Sequence, residues 1–569
     1  MGDVNSPRWQ ILPRVPDSFA QQAGLPLLLA QLLYNRGLRT PSACHSFLQP
    51  DVWQHTDPFL VKDMDVAVRR IGHALEHGET TAVYGDFDTD GISGATLLTE
   101  VLALLGGNVI THIPHRLDDG YGLSFKPLKD LHNQGVSLVI TVDCGISSVD
   151  EIAYAQRLGL DVIVTDHHSL PTKLPSTTAT LNPKRPDSAY PFRDFSGAGV
   201  AYKLAQALVE THAGANHQAI LNDTLDLVAL GTVADLAPLV GENRYLVVEG
   251  LRVLNQTQRL GLQALIAQAG LRLGHIDAED IAFVLGPRLN AAGRLDHAII
   301  GLRLLASGSE REAQELAAKL EQTNAERQRL TAQALSRAQE EIATFPATSP
   351  LFLLQGDHYP GGVIGLVAGK LCEEHHRPVV VLERGPRISR GSARSIPELN
   401  IAQTLAQCQD LLIRFGGHAR AAGFMVANSR VDALRERLLH IAQRELRDLD
   451  LRPALTIDAE VSLQRLGWHV LEMVEQLQPF GMGNPQPLFL SRGVEVKEKR
   501  LVGARKDHLR LLLSSEGQDW PAIGFGLGSR LAEVAGRIDV VCALKADEWN
   551  GEKRLQLLIQ DFNPSGSGR

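Results

Sequence analysis

The sequence predicts an α/β protein: a doubly wound, mostly parallel sheet, a long linking helix, a second α/β domain and a C-terminal β-barrel. Three observations carry this. Between about residues 80 and 235, "TAVYGDF", "NVITHIP", "VSLVITVD" and "DVIVTDHH" are short apolar runs ending in polar residues, with helical stretches between them, the pattern of βα units pairing in parallel. Residues 307–345 hold the longest helical signal, with Ser309 and Glu312 spaced as a capping box and Ala313, Leu316, Leu320, Leu330, Ala334 and Ala338 on one face. Such a helix is expected to span two domains. Beyond "PFGMGNPQPLF", β-runs from "EVKEKRLVG" to "KRLQLLIQDF", separated by turn residues, fit a five-stranded barrel.

The expected divisions are an N-terminal segment at 1–50, a catalytic domain at 51–306, the linking helix at 307–345, a second α/β domain at 346–450 and the barrel domain at 451–569. With 569 residues and 44% hydrophobic content, the chain has material for several packed cores and reads as soluble and globular. No run approaches the roughly 20 apolar residues of a membrane span, and "MGDVNSPRWQILPRVPD" lacks the apolar centre of a secretory signal. Ser6 meets one requirement of a myristoylation signal, but Asp3 beside Gly2 argues against it. Five cysteines without a CxxC pair, Cys44, Cys144, Cys372, Cys408 and Cys542, point to a reducing interior and away from disulfides or structural zinc. Cytoplasm is therefore the expected compartment. A net charge of −9 offers no global attraction for nucleic acid, so a polyanion site must be a local basic groove.

The string "GDFDTDG" places Asp86, Asp88 and Asp90 at alternate positions before Gly91. A calcium loop of the EF-hand type would need a bidentate Glu where Leu97 stands, and a helix where "TAVYG" reads as a buried strand. Acids leaving the C-terminal end of a strand are instead where open α/β sheets carry chemistry. Further acids and histidines fall where strands are expected to end: Asp143 in "ITVDCG", Asp166, His167 and His168 in "VTDHHS", and Asp235 in "ALGTVADLAPL". One such Asp alone more often caps the next helix, and one His more often packs. Several converging on one edge repel one another, and a metal relieves that. Carboxylates with a single imidazole suit Mn²⁺ or Mg²⁺ better than zinc, for which Cys or more His would be expected.

In this order and at these gaps, "GDFDTDG", "TVDCG", "VTDHH" and "GTVADLAPL" resemble the motifs of the DHH phosphoesterase superfamily, and "GGHARAAG" resembles its DHHA1 domain. More narrowly, "IPHRLDDGYGL", "GPRLNAAGRL", "GVIGLVAGKL", "GSARSIP" and "PFGMGNPQP" are similar to motifs of the RecJ family, exonucleases that degrade single-stranded DNA from its 5′ end. Other members of the superfamily often carry His where Tyr84 stands, which puts the ligand role of Asp86 in question. The resemblance implies two ions bridged by Asp143, one held by Asp88 and Asp86, the other by Asp90, His167 and Asp235. It implies a water activated between them for in-line attack on phosphorus. It gives His168 to the scissile phosphate and makes Asp166 the partner that orients an imidazole. It further implies a monomer acting on single-stranded DNA with a 5′ end, in repair and recombination, with a single-strand-binding protein and a helicase as partners.

Substrate contacts are expected from Arg116, Arg288, Arg294, Arg394 and Ser395, with Arg384, Arg387 and Arg390 nearby, and from Gly417 and His418 on the opposite wall of an interdomain cleft. Arginines of this kind equally serve as ordinary ion-pair residues. The barrel resembles an OB-fold, with Lys497, Lys499, Arg500, Arg505, Lys506, His508 and Arg510 as its basic footprint and Trp520, Phe525 or Trp549 as stacking platforms. Core packing is the competing role for each aromatic, most of all for Phe525. Three alternatives stand beside this reading. A haloacid-dehalogenase-type phosphatase would use Asp88 and Asp90 without "TDHH". A small-substrate DHH enzyme would lack the long helix and barrel. A silent single-strand binder would have lost ligands.

Overall fold

A computed structural model describes residues 7–53, 56–116, 120, 122–214, 217–549 and 552–566. Strands β1 (Thr80–Gly85), β2 (Asn108–His112), β3 (Val136–Val142), β4 (Asp161–Thr165) and β5 (Ala179–Leu181) form an all-parallel sheet in the order β2-β1-β3-β4-β5. β5 has three residues, too few for periodicity to reveal, and was not among the predicted strands. The central strands are apolar along their whole length because helices cover both faces: Val83, Ile140 and Ile163 face one core, and Ala82, Val139 and Val162 the other. The chain runs outward from β1 to β2 and returns to β3 on the other side of β1. The switch point thus lies between β1 and β3, whose ends carry Asp86 and Asp143.

Three helices press on that edge: α1 (Thr89–Leu104), α2 (Gly197–His212) and α3 (Leu225–Ala234). α3 corrects one expectation. Asp235 follows a helix, not a strand. Nearly every residue of α3 is buried, so its sequence lacks the polar face that gives a helix its period.

Helix α4 (Gly286–Leu295) follows a π-helical turn over Ile281–Leu285 and packs against the long helix α5 (Glu310–Ile342). As expected, α5 serves two domains: Ala313, Ala317 and Leu320 enter the first core, and Ala334, Ala338 and Ile342 enter the second. The hydroxyl of Ser309 caps its start by accepting from the Glu312 amide.

The second domain holds β6 (Phe352–Gly356), α6 (Ile364–His375), β7 (Val379–Arg384), β8 (Ile388–Arg394), β9 (Leu412–His418) and β10 (Ala421–Ala427), with sheet order β9-β10-β8-β7-β6. The cluster "RFGGHARAAGF" is an antiparallel hairpin of β9 and β10. Gly417 has φ +147, and a Cβ there would lie 2.4 Å from the Ala421 carbonyl oxygen, so glycine is required by the hairpin itself.

The barrel closes through β11 (Ala459–Glu460), β12 (Phe489–Val502), β13 (His508–Ser515), β14 (Gln518–Gly524), β15 (Arg537–Trp549) and β16 (Glu552–Pro564), where β12 pairs with both β13 and β15. The N-terminal segment belongs to this body. Arg8–Ile11 pairs in parallel with Ala454–Ile457, and Val15, Phe19, Leu32 and Phe47 share a core with barrel residues such as Phe489 and Phe562. Arg244, from the first domain, fastens this body by donating to the carbonyls of Phe47, Gln476 and Leu477. All five cysteines are buried thiols. No described helix is long and apolar enough to cross a membrane.

Candidate metal centre and arginine cavity

The carboxylates converge because parallel strands of the first sheet end at one edge, β1 running almost directly into α1 and β3 and β4 into loops that carry Asp143 and Asp166. Asp86 and Asp88 leave β1, and Asp88 caps α1 by accepting from the amides of Asp90 and Gly91 at 3.0 and 3.1 Å. Asp143 ends β3 in the left-handed region, φ +62; Asp tolerates this better than most residues, and such strain collects at functional sites. α2 then points its N-terminus at Asp90, whose oxygens accept from the Gly197 and Ala198 amides at 2.5 and 2.9 Å. A Cβ on Gly197 would stand 2.3 Å from that of Asp143, so only glycine lets α2 approach.

Three sets of side chains lie close enough to share a cation: Asp86, Asp88 and Asp143; Asp90, His167 and Asp235; and Asp143, His167 and His168. Asp143 belongs to two of these sets and reaches the other through His167: its Oδ1 lies 3.0 Å from His167 Nε2, which is 3.7 Å from Asp235 Oδ2. The electrostatics call for positive charge. Burial and then mutual repulsion hold the Asp86 and Asp143 carboxyls well above the usual carboxylate range, and raise Asp90 to about 7 and Asp235 to about 9. Burial, then the neighbouring His168, lowers His167 to about 3, leaving a neutral imidazole suited to ligation. Asp86 Oδ1 is buried with no hydrogen-bond partner among the described residues.

Asp166 has a different task. It is buried, and its carboxylate accepts from the amides of Ile146, His167 and His168 and from His168 Nδ1, the last at 2.8 Å. Although burial opposes it, this bond raises the His168 pKa and favours the protonated ring. The His418 ring, delivered by β9, lies against it with centroids 6.1 Å apart.

A cavity of about 590 Å³ opens beside these groups. Asp86 and Asp88 form one side; Arg116, Asn290 and Arg294 line it from the first domain, and Gly362, Gly365, Arg390, Ser392 and Arg394 from the second. The Arg116 guanidinium sits 5.1 Å from the centre of the Phe87 ring. Arg294 is lowered to about 10 by burial and then by Arg116, Arg327 and Arg394. So many guanidiniums in one partly buried place suit an anion.

Comparison with known proteins agrees with this layout. The model of the DHH family N-terminal domain matches residues 80–232, that of the DHHA1 domain 348–446 and that of the RecJ OB domain 457–561. The single-stranded-DNA-specific exonuclease RecJ of Bacillus subtilis is 36% identical over 563 residues, 97% of this chain and 70% of the relative. The protein of the same name from Escherichia coli is 33% identical, over 95% of this chain and 96% of its own. The chain belongs to the RecJ family. A crystal structure of RecJ with Mn²⁺ from Thermus thermophilus has a TM-score of 0.84 at 30% identity, covering 98% of this chain and 80% of that one. A second from the same organism, with Mg²⁺, gives 0.79 at 29% identity, covering 98% of this chain and 79% of that one.

Several expectations for this RecJ-family chain need correction in detail. Arg288 does not line the cavity; it pairs with Glu321 of α5 at 2.6 Å and donates to the Val284 carbonyl, bracing α4 against α5. The Ser395 hydroxyl is buried and donates to the Leu399 carbonyl at 2.7 Å. The serine that reaches the cavity is Ser392, on the same face of β8 as Arg394, because side chains two apart on a strand share a face. Gly417 shapes its hairpin rather than the cavity wall. Gly197, Asn290, Gly362 and Ser392 were not singled out. "SGAG" carries the signal for Gly197, small residues at a crowded helix start, whereas Asn290 lies within α4 and accepts from the Thr89 amide and hydroxyl at the start of α1.

In the barrel, Trp520 is 3% exposed and part of the core, whereas Phe525 is 59% exposed and meets His508 edge-to-face. The burial is the reverse of that expected: Trp520 belongs to the core, and Phe525 is the exposed ring. Trp520 lies mid-strand with inward alternation, and Phe525 follows the end of β14. Lys497 pairs with Asp519, and Arg505 with Asp507, so part of the basic footprint is neutralised. The side chain of Trp549 lies outside the described residues, as do Leu117, Asp118, Asp119 and Tyr121 of "HRLDDGYG".

Proposed function

We propose that this protein is a metal-dependent, single-strand-specific exodeoxyribonuclease that enters at a 5′ end and releases 5′-mononucleotides, serving DNA repair and recombination. It acts as a cytoplasmic monomer on strands that a helicase and a single-strand-binding protein supply. The names of the curated relatives and the ions in the similar crystal structures support this. The observation that carries it is the shared cavity: Asp86 and Asp88 line the same space as Arg116, Arg294 and Arg394. An anion held by those arginines sits beside the hydrolytic groups.

The carboxylate-rich donor set and the buried, unpaired Asp86 Oδ1 fit two Mn²⁺ or Mg²⁺ ions better than zinc. Asp86, Asp88 and Asp143 would hold one, and Asp90, His167 and Asp235 the other, with Asp143 between them. Bound there, the ions supply charge neutralisation and Lewis acidity toward water and phosphoryl oxygen. The chain itself orients the substrate. His168, held at Nδ1 by Asp166, donates to the scissile phosphate. His418 limits the motion of that ring from the other domain. Arg116, Arg294, Arg394 and Ser392 grip the terminal phosphate, so the bond presented for cleavage is the one between phosphorus and the first 3′-oxygen.

Incubating a long single strand, labelled at its 5′ end, with the protein and Mn²⁺ tests this. Release of labelled mononucleotide supports the exonuclease; binding without release, or cutting only of short oligonucleotides, contradicts it.

A further inference from the structure

The cavity holds more anion-binding machinery than one terminal phosphate uses. Its volume of about 590 Å³ is the liquid-phase share of roughly twenty waters. Four guanidiniums line it, Arg116, Arg294, Arg390 and Arg394, against the charge of about −1.5 to −2 that a terminal monophosphate carries. The two acids that line it, Asp86 and Asp88, are candidate metal ligands, and a third carboxylate, Glu383, stands at the edge of the cavity on the Gly361 amide.

A second device lies beside the arginines. α6 runs twelve residues, and its N-cap, Val363, has no side chain able to cap. Gly361, Gly362, Ile364 and Gly365 at its start all line the cavity. The Gly361 amide is taken by Glu383 at 3.0 Å, while those of Gly362, Ile364 and Gly365 have no acceptor among the described residues. Uncapped amides at a helix N-terminus bind phosphate. The two devices are contiguous: a Cβ on Gly365 would stand 3.1 Å from Arg394 Nη2 and 3.1 Å from Ser392 Oγ. Arg390 is exposed and has no ion-pair partner among the described residues, completing the wall on that side.

We infer that the cavity accepts strands whose 5′ end carries a chain of phosphates, a di- or triphosphate, with the first phosphate on Arg116, Arg294, Arg394 and Ser392 and the outer ones on the start of α6 and Arg390. This rests on the 5′-phosphate reading above and extends it to a further substrate class. The reaction is the same hydrolysis. Water adds to the phosphorus joining the first two nucleotides, the 3′-oxygen of the first leaves with a proton, and the products are a nucleoside 5′-triphosphate and a strand with a 5′-monophosphate.

The test uses the full chain with Mn²⁺ and three single strands of one sequence ending in 5′-hydroxyl, 5′-monophosphate or 5′-triphosphate. Initial rates are followed from a 3′ label, and the first product is identified by chromatography. The expected result is release of nucleoside triphosphate at a rate at least equal to the monophosphate strand, with a KM several-fold lower. Arg390→Ala should shrink that KM advantage. Triphosphate strands cut as slowly as hydroxyl strands, while monophosphate strands remain preferred, would overturn the inference and leave the 5′-phosphate reading standing. Equal rates on hydroxyl and monophosphate strands would overturn both.

Discussion

The rings of His168 and His418 lie 6.1 Å apart, centre to centre, with planes 14° from parallel, although one belongs to the first domain and the other to the second. Because β9 delivers His418 from across the cleft, the pair reports domain alignment beside the candidate metal ligands. His418→Ala should lower kcat by up to roughly tenfold, the scale of one lost ring contact, and leave the affinity for Mn²⁺ unchanged. Single-turnover rates and metal titration of the same variant check both parts.

Asp143 connects the sets of candidate ligands, so Asp143→Asn should abolish hydrolysis, by roughly three orders of magnitude or more. Asn also tolerates the left-handed backbone. Removing one buried, repelled carboxylate should raise the melting temperature of the metal-free protein, while Mn²⁺ should stabilise the wild type more than the variant. Thermal melts in chelator and in Mn²⁺ measure this. Asp86→Ala should be milder in turnover. Wild-type hydrolysis by Asp143→Asn would refute the ligand assignment.

How far the sequence could be read follows from where each signal lay. The strand ends with Asp86, Asp143 and Asp166 were legible because alternation between apolar run and polar terminus marks a buried parallel strand. Asp235 was placed on the wrong kind of element because α3 is apolar on every side. Ser392 is not legible from the sequence because the inward residues of its run, Ser389, Gly391 and Ala393, are too small to mark a strand by apolar alternation; as strand β8 the run sends residues 392 and 394 to one face. The reversal of Trp520 and Phe525 has the same origin, since two aromatics in one β-run, "WPAIGFGL", look alike until their facing is known.

The barrel separates binding from stability. Phe525→Ala should weaken the affinity for a long oligonucleotide by an amount on the order of 1–3 kcal/mol, the range for one stacked base, without changing the melting temperature. Trp520→Ala should cost about 3–5 kcal/mol of stability as a core deletion. Fluorescence anisotropy and urea unfolding of both variants distinguish them. Cutting the chain near residue 480 is a poorer test, because the N-terminal segment would lose its core partner.

Glu79 gives a pH dependence remote from the site. Partial burial opposes it, but hydrogen bonds from Ser137, Arg70 and His73 hold its carboxyl near 2, below the ordinary 4.5. A depressed folded pKa contributes stability above the unfolded value and loses it as pH falls from about 4.5 toward 2. Urea midpoints at about pH 7 and about pH 3 should therefore differ less for Glu79→Gln than for the wild type. An equal difference in both would remove Glu79 from the acid response.

The central claim is that cleavage starts where an arginine-held 5′-phosphate lies beside the metal centre. The most direct measurement is the ratio of initial rates on 5′-phosphorylated and 5′-hydroxyl single strands, for the wild type and for Arg294→Ala and Arg116→Ala. A charge-assisted hydrogen bond is worth about 1.5–3 kcal/mol, so each substitution should reduce the wild-type preference roughly tenfold or more, mainly by slowing the phosphorylated strand. A preference unchanged in both variants would contradict the account and leave direction of travel to the width of the cleft alone.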